Sequence, residues 1–206
     1  MIHNLFPTPV GMYELGRDLT AKEFSFLTNQ KTRPNMGNTT STNNTILKAK
    51  ELTKLRDFIE TKVSEYFTTV YNPKHKVNLK ITQSWTNYTE PGQYHHKHAH
   101  PNSFVSGVFY IQANKTKDKI YFYRDGYEQI KFPPSEWNVW NSESWWFEAG
   151  TGQLILFPSS LTHMVQTVES KQTRISLSFN TFPVGSVGDE ISLTGLQLGE
   201  LDGAFR

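Results

Sequence analysis

From Val77 onward the chain breaks into short runs rich in β-branched and aromatic residues, and this pattern restricts the fold more than any other feature. The runs are Leu79 to Tyr88, Phe104 to Gln112, Ile120 to Arg124, Gln153 to Phe157, His163 to Val168 and Arg174 to Phe182. Turn signals separate them at Glu90-Pro91-Gly92, Asp125-Gly126 and Gly150-Thr151-Gly152. What precedes them is helical. Leu52, Leu55, Ile59, Val63, Tyr66, Phe67 and Val70 recur at helical spacing, with charged residues on the other face. Helices followed by many strands predict a mainly β protein, a sandwich or barrel with flanking helices.

The remaining stretches flank or interrupt these strands. Residues 5–14 hold Pro7 and Pro9 and predict an opening edge strand, because two prolines cannot both sit within a central ladder. Thr20 and Glu23 have capping-box spacing, with Leu19 and Phe24 as a staple, so a short helix starts near Ala21. Arg33 to Thr45 is polar and aperiodic and reads as a flexible loop or a lid. The aromatic cluster Trp137, Trp140, Trp145, Trp146 and Phe147 is expected first as core packing and second as the wall of a substrate cleft. Ile191 to Leu198 is apolar enough to pair with an edge strand or with a second copy in a homodimer. The expected organisation is one domain over 1–206, with helical support about 17–72, a β core about 77–182 and a C-terminal extension 183–206.

Composition removes several chemistries. With no cysteine there is no disulfide, thiolate zinc site, iron-sulfur cluster or cysteine nucleophile, so any metal is held by nitrogen or oxygen. A net charge of +2, with both signs interspersed, gives no strong signal for nucleic acid. No run approaches a membrane span and the N-terminus lacks the marks of a secretory signal, which predicts a cytoplasmic protein.

The chemistry concentrates in His95-His96-Lys97-His98-Ala99-His100-Pro101. If this stretch is extended, alternate side chains share a face and His98 with His100 form half of a metal site. His96 is the substitute in the other register, and His95 is expected on the opposite face. His163 follows a strand and a Pro-Ser turn and can supply a third imidazole. Arg174 and Ser176 alternate onto one face of the last strand, a guanidinium and a hydroxyl suited to a carboxylate. Neither the histidine pair nor the His163 to Arg174 spacing is specific alone; the conjunction is what points to a metal site.

Trp85-Thr86-Asn87, Pro91-Gly92, His98-Ala99-His100-Pro101-Asn102-Ser103, Ser106-Gly107-Val108-Phe109-Tyr110, the run Gly152 to His163 and Arg174 to Asn180 resemble the 2-oxoglutarate and Fe(II)-dependent oxygenase superfamily. The likeness is nearest to a His-x-His-Pro subfamily of marine bacteria and tailed phages, for which the compartment would be the host cytoplasm. It implies a double-stranded β-helix, the jelly-roll or cupin-like fold. It also implies Fe(II) on His98, His100 and His163, with O2 and the co-substrate 2-oxoglutarate. The far carboxylate of that co-substrate would lie on Arg174, beside Ser176 and Asn87. Tyr110 is near a position where relatives place a tyrosine on the co-substrate, although alternation could aim Phe109 inward instead.

The implied activity is a dioxygenase that hydroxylates a small molecule or a peptidyl side chain, releasing succinate and CO2. Position 100 departs from the superfamily, where Asp or Glu is usual. A working three-histidine site, a carboxylate from elsewhere such as Glu90 or Glu148, or metal binding without oxidation would each explain it. Two other classes remain: a cupin-type metalloenzyme that uses the same histidines without 2-oxoglutarate, and a non-catalytic jelly roll whose Trp140, Trp145 and Trp146 bind a sugar or a virion partner.

Overall fold

The β-rich half folds into two antiparallel sheets, and the helices cover the outer face of the larger one. The computed structural model describes residues 1–126, 130 and 132–199. In the larger sheet the order is β1 (Gly11–Glu14), β9 (Gln153–Pro158), β6 (Val105–Gln112), β11 (Arg174–Val187), β4 (Val77–Thr89), β3 (Asn38–Ser41) and β2 (Thr32–Asn35), with β12 (Leu196–Leu198) added to the end of β11. The smaller sheet runs β5 (His95–His98), β10 (His163–Val165), β7 (Lys119–Tyr123) and β8 (Ser144–Glu148). Strands that alternate between two facing sheets in this order make a double-stranded β-helix, so the molecule is mainly β with two α-helices.

Each helix follows from its sequence. Helix α1 (Ala21–Thr28) begins at a full capping box: the Glu23 amide donates to the Thr20 hydroxyl and the Thr20 amide to the Glu23 carboxylate. Helix α2 (Thr53–Tyr71) buries Leu55, Ile59, Val63, Tyr66 and Phe67 and ends where Asn72 turns left-handed before Pro73.

Alternation along the central strands sorts side chains to two destinations. Phe109, Ile111, Leu154, Leu156, Ile175, Leu177 and Phe179 join the core beneath α1 and α2. Val108, Tyr110, Ile155 and Phe157 point the other way and pack with Ile120 and Phe122 of the smaller sheet. This settles the alternatives at 109 and 110: Phe109 faces the helices and Tyr110 faces the interior of the roll. Gly107 leaves room for the Phe179 ring, which a Cβ at that position would strike.

Three expectations are corrected. Arg33 to Thr45 is no flexible loop or lid as far as Ser41; β2 and β3 form a hairpin whose turn holds Gly37 at φ +85°, and β3 extends the sheet through Thr39–Tyr88 and Thr40–Asn87. Asn and Thr side chains suit this edge because the Thr40 hydroxyl and the Asn38 amide donate to Thr86 O and Thr89 Oγ1. Of the aromatic cluster only Phe147 packs against the core, beside Phe122, while Trp137, Trp140, Trp145 and Trp146 are all exposed. Trp145 and Trp146 belong to β8, the edge strand of the smaller sheet. The opening strand is also shorter than expected, since β1 starts only after Pro9. The C-terminal apolar run does pair, through β12 on β11. Among the described residues no helix is long and apolar enough to cross a membrane.

Candidate metal centre

The site is assembled from one end of the smaller sheet and the inner face of the larger. His98 and His163 are direct cross-strand partners in the antiparallel β5–β10 pair, which places their Cβ atoms about 4.5–5.5 Å apart. His100 lies two residues past the end of β5, and its amide donates to Ser159 O at 2.9 Å. That contact belongs to a buried clamp. The Ser159 hydroxyl donates to Ser103 Oγ at 2.7 Å and meets Ser106 Oγ at 2.8 Å, and Ser106 donates to Asn180 Oδ1 at 2.9 Å. The clamp fixes the turn before His163 against the turn after His100.

These constraints bring His98, His100 and His163 together with one nitrogen of each within 4.8 Å of the others. His100 Nε2 and His163 Nε2 are 3.3 Å apart. Two imidazoles on one ion, each about 2.1 Å from it, require a nitrogen separation of about 3.0–3.4 Å. The Nδ1–H of His98 donates to His96 O at 2.7 Å, and that of His163 to Leu161 O at 3.0 Å. With Nδ1 protonated, each ring turns an Nε2 lone pair toward the shared space.

Burial favours the same protonation state. Desolvation, reinforced by the neighbouring imidazoles, pushes His100 down to about 4 and His163 down to about 3, and lowers His98 as well. Near neutral pH the cluster is therefore a set of uncharged nitrogen donors, the state a transition metal needs. Among the described residues no carboxylate joins it, and Glu90 and Glu148 are exposed, so neither supplies the missing acidic ligand.

His95 was expected to face away, and it lines the cavity instead. The cause is a bulge: His98 pairs with His163 but His95 pairs with Val165, so three steps along β5 match two along β10 and the alternation inverts. Burial and the nearby His98 push His95 far below its ordinary value, and Arg174 adds to the effect, so this ring sits within electrostatic reach of both ends of the site. His96 falls in a second group with His95 and His98. Its Nδ1 is buried without a partner.

Arg174, Ser176, Asn87 and Tyr110 share the inner face. Ser176 is opposite Asn87 across β4 and opposite Tyr110 across β6, and Arg174 is two residues along. Arg174 is 3 % exposed, and its Nη1 donates to Asp118 Oδ1 at 3.2 Å and to Gln166 O at 3.3 Å. Its Nη2, the Tyr110 hydroxyl and Asn87 Oδ1 are buried without a partner, while Asn87 Nδ2 donates to Ser178 Oγ. Burial raises the Tyr110 hydroxyl well above the ordinary phenol value, so it remains a donor. Unpaired buried groups of this kind each cost about 1–3 kcal/mol, a cost that a ligand acceptor can relieve.

Two residues of this site escaped the sequence reading, His95 and Asp118. The bulge that turns His95 inward leaves no mark in the local pattern, and Asp118 closes an unremarkable polar turn, Asn114-Lys115-Thr116-Lys117-Asp118. The cavity among the imidazoles holds about 30 Å³, which is room for an ion and about one or two waters. A larger groove of about 800 Å³ lies between residues 3–10 and β8, with Trp140, Trp145 and Phe147 along it.

Residues 83–180, somewhat under half of the chain, match the sequence profile of the family described as "Putative 2OG-Fe(II) oxygenase". A crystal structure of an oxidoreductase of the 2OG-Fe(II) oxygenase family from Burkholderia pseudomallei superimposes with a TM-score of 0.57, covering 84% of this chain and 83% of that one at 12% identity. That likeness shows a shared fold. Oxalate decarboxylases are more distant: a mutant of the Bacillus subtilis enzyme scores 0.41 at 14% identity, covering 77% of this chain and 30% of that one. The Lactobacillus farciminis enzyme in its formate complex scores 0.41 at 12% identity, covering 74% and 31%. No curated protein matches the sequence.

Proposed function

We propose that this protein is an Fe(II)- and 2-oxoglutarate-dependent dioxygenase that hydroxylates a small molecule or a peptidyl side chain. One observation carries the reading: three neutral imidazoles converge beside a face on which Arg174 Nη2 and the Tyr110 hydroxyl are buried donors without acceptors. The donor set fits a divalent transition metal held by His98, His100 and His163, and the two orphan donors fit the far carboxylate of a 2-oxodiacid. Iron bound there would supply the redox chemistry that turns 2-oxoglutarate and O2 into succinate and CO2 while oxidising a substrate C–H bond.

The chain's own residues prepare that chemistry. Leu161 O and His96 O hold the rings of His163 and His98 by their Nδ1–H groups, so the donor atoms are aimed before any ion arrives. Arg174 and Tyr110 orient the oxoacid through its distal end, with Ser176 and Asn87 beside them. Phe157, with its ring 4.7 Å from that of His163, and Phe122 keep water from the inner side of the cluster. A five-carbon diacid needs more space than the cavity has, so reaching Arg174 would require side chains lining it, His95 among them, to move.

The test is succinate formed from 2-oxoglutarate with Fe(II) and O2 by the wild type, His163→Ala and Arg174→Ala. Loss in both variants supports the proposal; equal rates in all three refute it. The Asp118–Arg174 pair favours a second reading, because an arginine already engaged is less in need of a diacid. In that case the protein is a three-histidine metalloenzyme without co-substrate, and it would retain iron yet ignore 2-oxoglutarate.

A further inference from the structure

Three Asp, Glu or Arg side chains are deeply buried among the described residues: Glu23, Asp118 and Arg174. Glu23 is engaged by Arg17 and Thr20 at the start of α1. Asp118 and Arg174, 2 % and 3 % exposed, are left with each other inside the roll. Asp118 is fixed from two directions. Its Oδ2 accepts the Asn114 amide at 2.7 Å, and its backbone carbonyl accepts the Ala149 amide at 2.9 Å. Its other oxygen takes one arm of the guanidinium, and the second arm has no partner.

We infer that Asp118 supplies beside the arginine the negative charge that position 100 does not supply to the metal, as a positioning and charge-balancing residue. The inference rests on the proposed function. A facial site of two histidines and one carboxylate leaves a divalent ion with one net positive charge, and an unpaired arginine adds another. Here the imidazoles contribute none, so the ion keeps both of its charges while Asp118 cancels Arg174. Either arrangement gives the loaded pocket two net positive charges, the complement of a 2-oxodicarboxylate dianion. Asp118 also fixes Nη1, which leaves Nη2 directed at the ligand.

The consequence has a direction that a merely structural acid would not share. Asp118→Asn keeps the shape but leaves Arg174 buried without a counter-ion, so the empty protein melts at a lower temperature. The distal carboxylate of the ligand then becomes the only counter-ion, and 2-oxoglutarate binds more tightly by about tenfold. Asp118→Asn combined with Arg174→Gln removes both charges. The double variant melts above the single Asp118→Asn variant despite its extra substitution, and it loses 2-oxoglutarate binding.

The experiment is calorimetric titration of 2-oxoglutarate into the Mn(II)-loaded 206-residue chain, with thermal denaturation of the same set without ligand. Tighter binding by Asp118→Asn, together with recovery of melting temperature in the double variant, is the expected result. If the wild type binds 2-oxoglutarate but Asp118→Asn binds it equally or more weakly, this inference is overturned and the oxygenase reading stands. If the wild type does not bind it at all, the oxygenase reading fails and takes this inference with it. Should Asp118→Asn fail to fold, the double variant decides: folding with a measurable melting transition supports the buried pair, and failure to fold overturns it.

Discussion

The two faces of strand β11 make opposite use of the same backbone. Toward the helices Ile175, Leu177 and Phe179 enter an apolar core in which the two tyrosine hydroxyls are satisfied, Tyr66 by Pro9 O and Tyr88 by Leu27 O. Toward the smaller sheet Ser176 and Ser178 line a cavity with four imidazoles, and Arg174 follows on the same face with its Nη2 buried and without a partner. The first arrangement stabilises the fold; the second sacrifices stability for a site that a ligand completes. The two faces should therefore respond differently to substitution.

The largest effect is expected on the inner face. His163→Ala should lower divalent-metal affinity by more than about 100-fold, measured by competition with a chromophoric chelator, while far-ultraviolet circular dichroism shows the fold intact. A variant that still retains iron stoichiometrically would break the contrast. On the outer face, Leu177→Ala removes a fully buried side chain and should cost about 2–5 kcal/mol in denaturant unfolding. Its folded fraction should still load one metal ion per chain.

Acid separates the two regions by where stability begins to fall. His100 and His163 have folded values pushed down to about 4 and about 3, below the 6.5 of the unfolded chain, so the unfolded state binds more protons. The metal-free protein is stabilised by them above about pH 6.5 and loses that contribution as pH falls from there toward 4 and 3. Glu23 is held down to about 2 by its hydrogen bond from Arg17, and its contribution is present above pH 4.5 and lost as pH falls from there toward 2. Urea unfolding at stepped pH should show a first loss beginning near neutrality that His163→Ala reduces. A second, of about 1–3 kcal/mol and starting lower, should be abolished by Glu23→Gln. A single transition confined below pH 4.5 would contradict the buried imidazoles.

The smallest effect expected is that of Tyr110→Phe, which deletes one donor to the oxoacid and should weaken 2-oxoglutarate binding by about tenfold or less. Unchanged affinity would mean that the hydroxyl faces something else.

Period and turn chemistry made the outer half of this architecture readable in advance. The spacing of Leu55, Ile59 and Val63 specifies α2, and the capping box at Thr20 and Glu23 specifies α1, because both depend on residues a few positions apart. The convergence of His98, His100 and His163 was legible as a possibility because a His-x-His pair near a strand end and a distant histidine after a turn are local patterns. What could not be read depends on pairing between distant strands. The β5–β10 bulge reverses His95, and the partner of Arg174 lies 56 residues away in a turn with no motif. The hairpin of β2 and β3 was hidden for a related reason, since its polar strands are stabilised by hydrogen bonds to β4 rather than by an apolar stripe.

The most direct test of the account is a crystal structure of the protein with Mn(II) and 2-oxoglutarate, with the ion located by its anomalous scattering. The prediction is one ion bonded to the Nε2 atoms of His98, His100 and His163, and a diacid whose far carboxylate meets Arg174 Nη2 and the Tyr110 hydroxyl. An ion on His95, His96 and His98 instead, or a diacid bound away from Arg174, would contradict it.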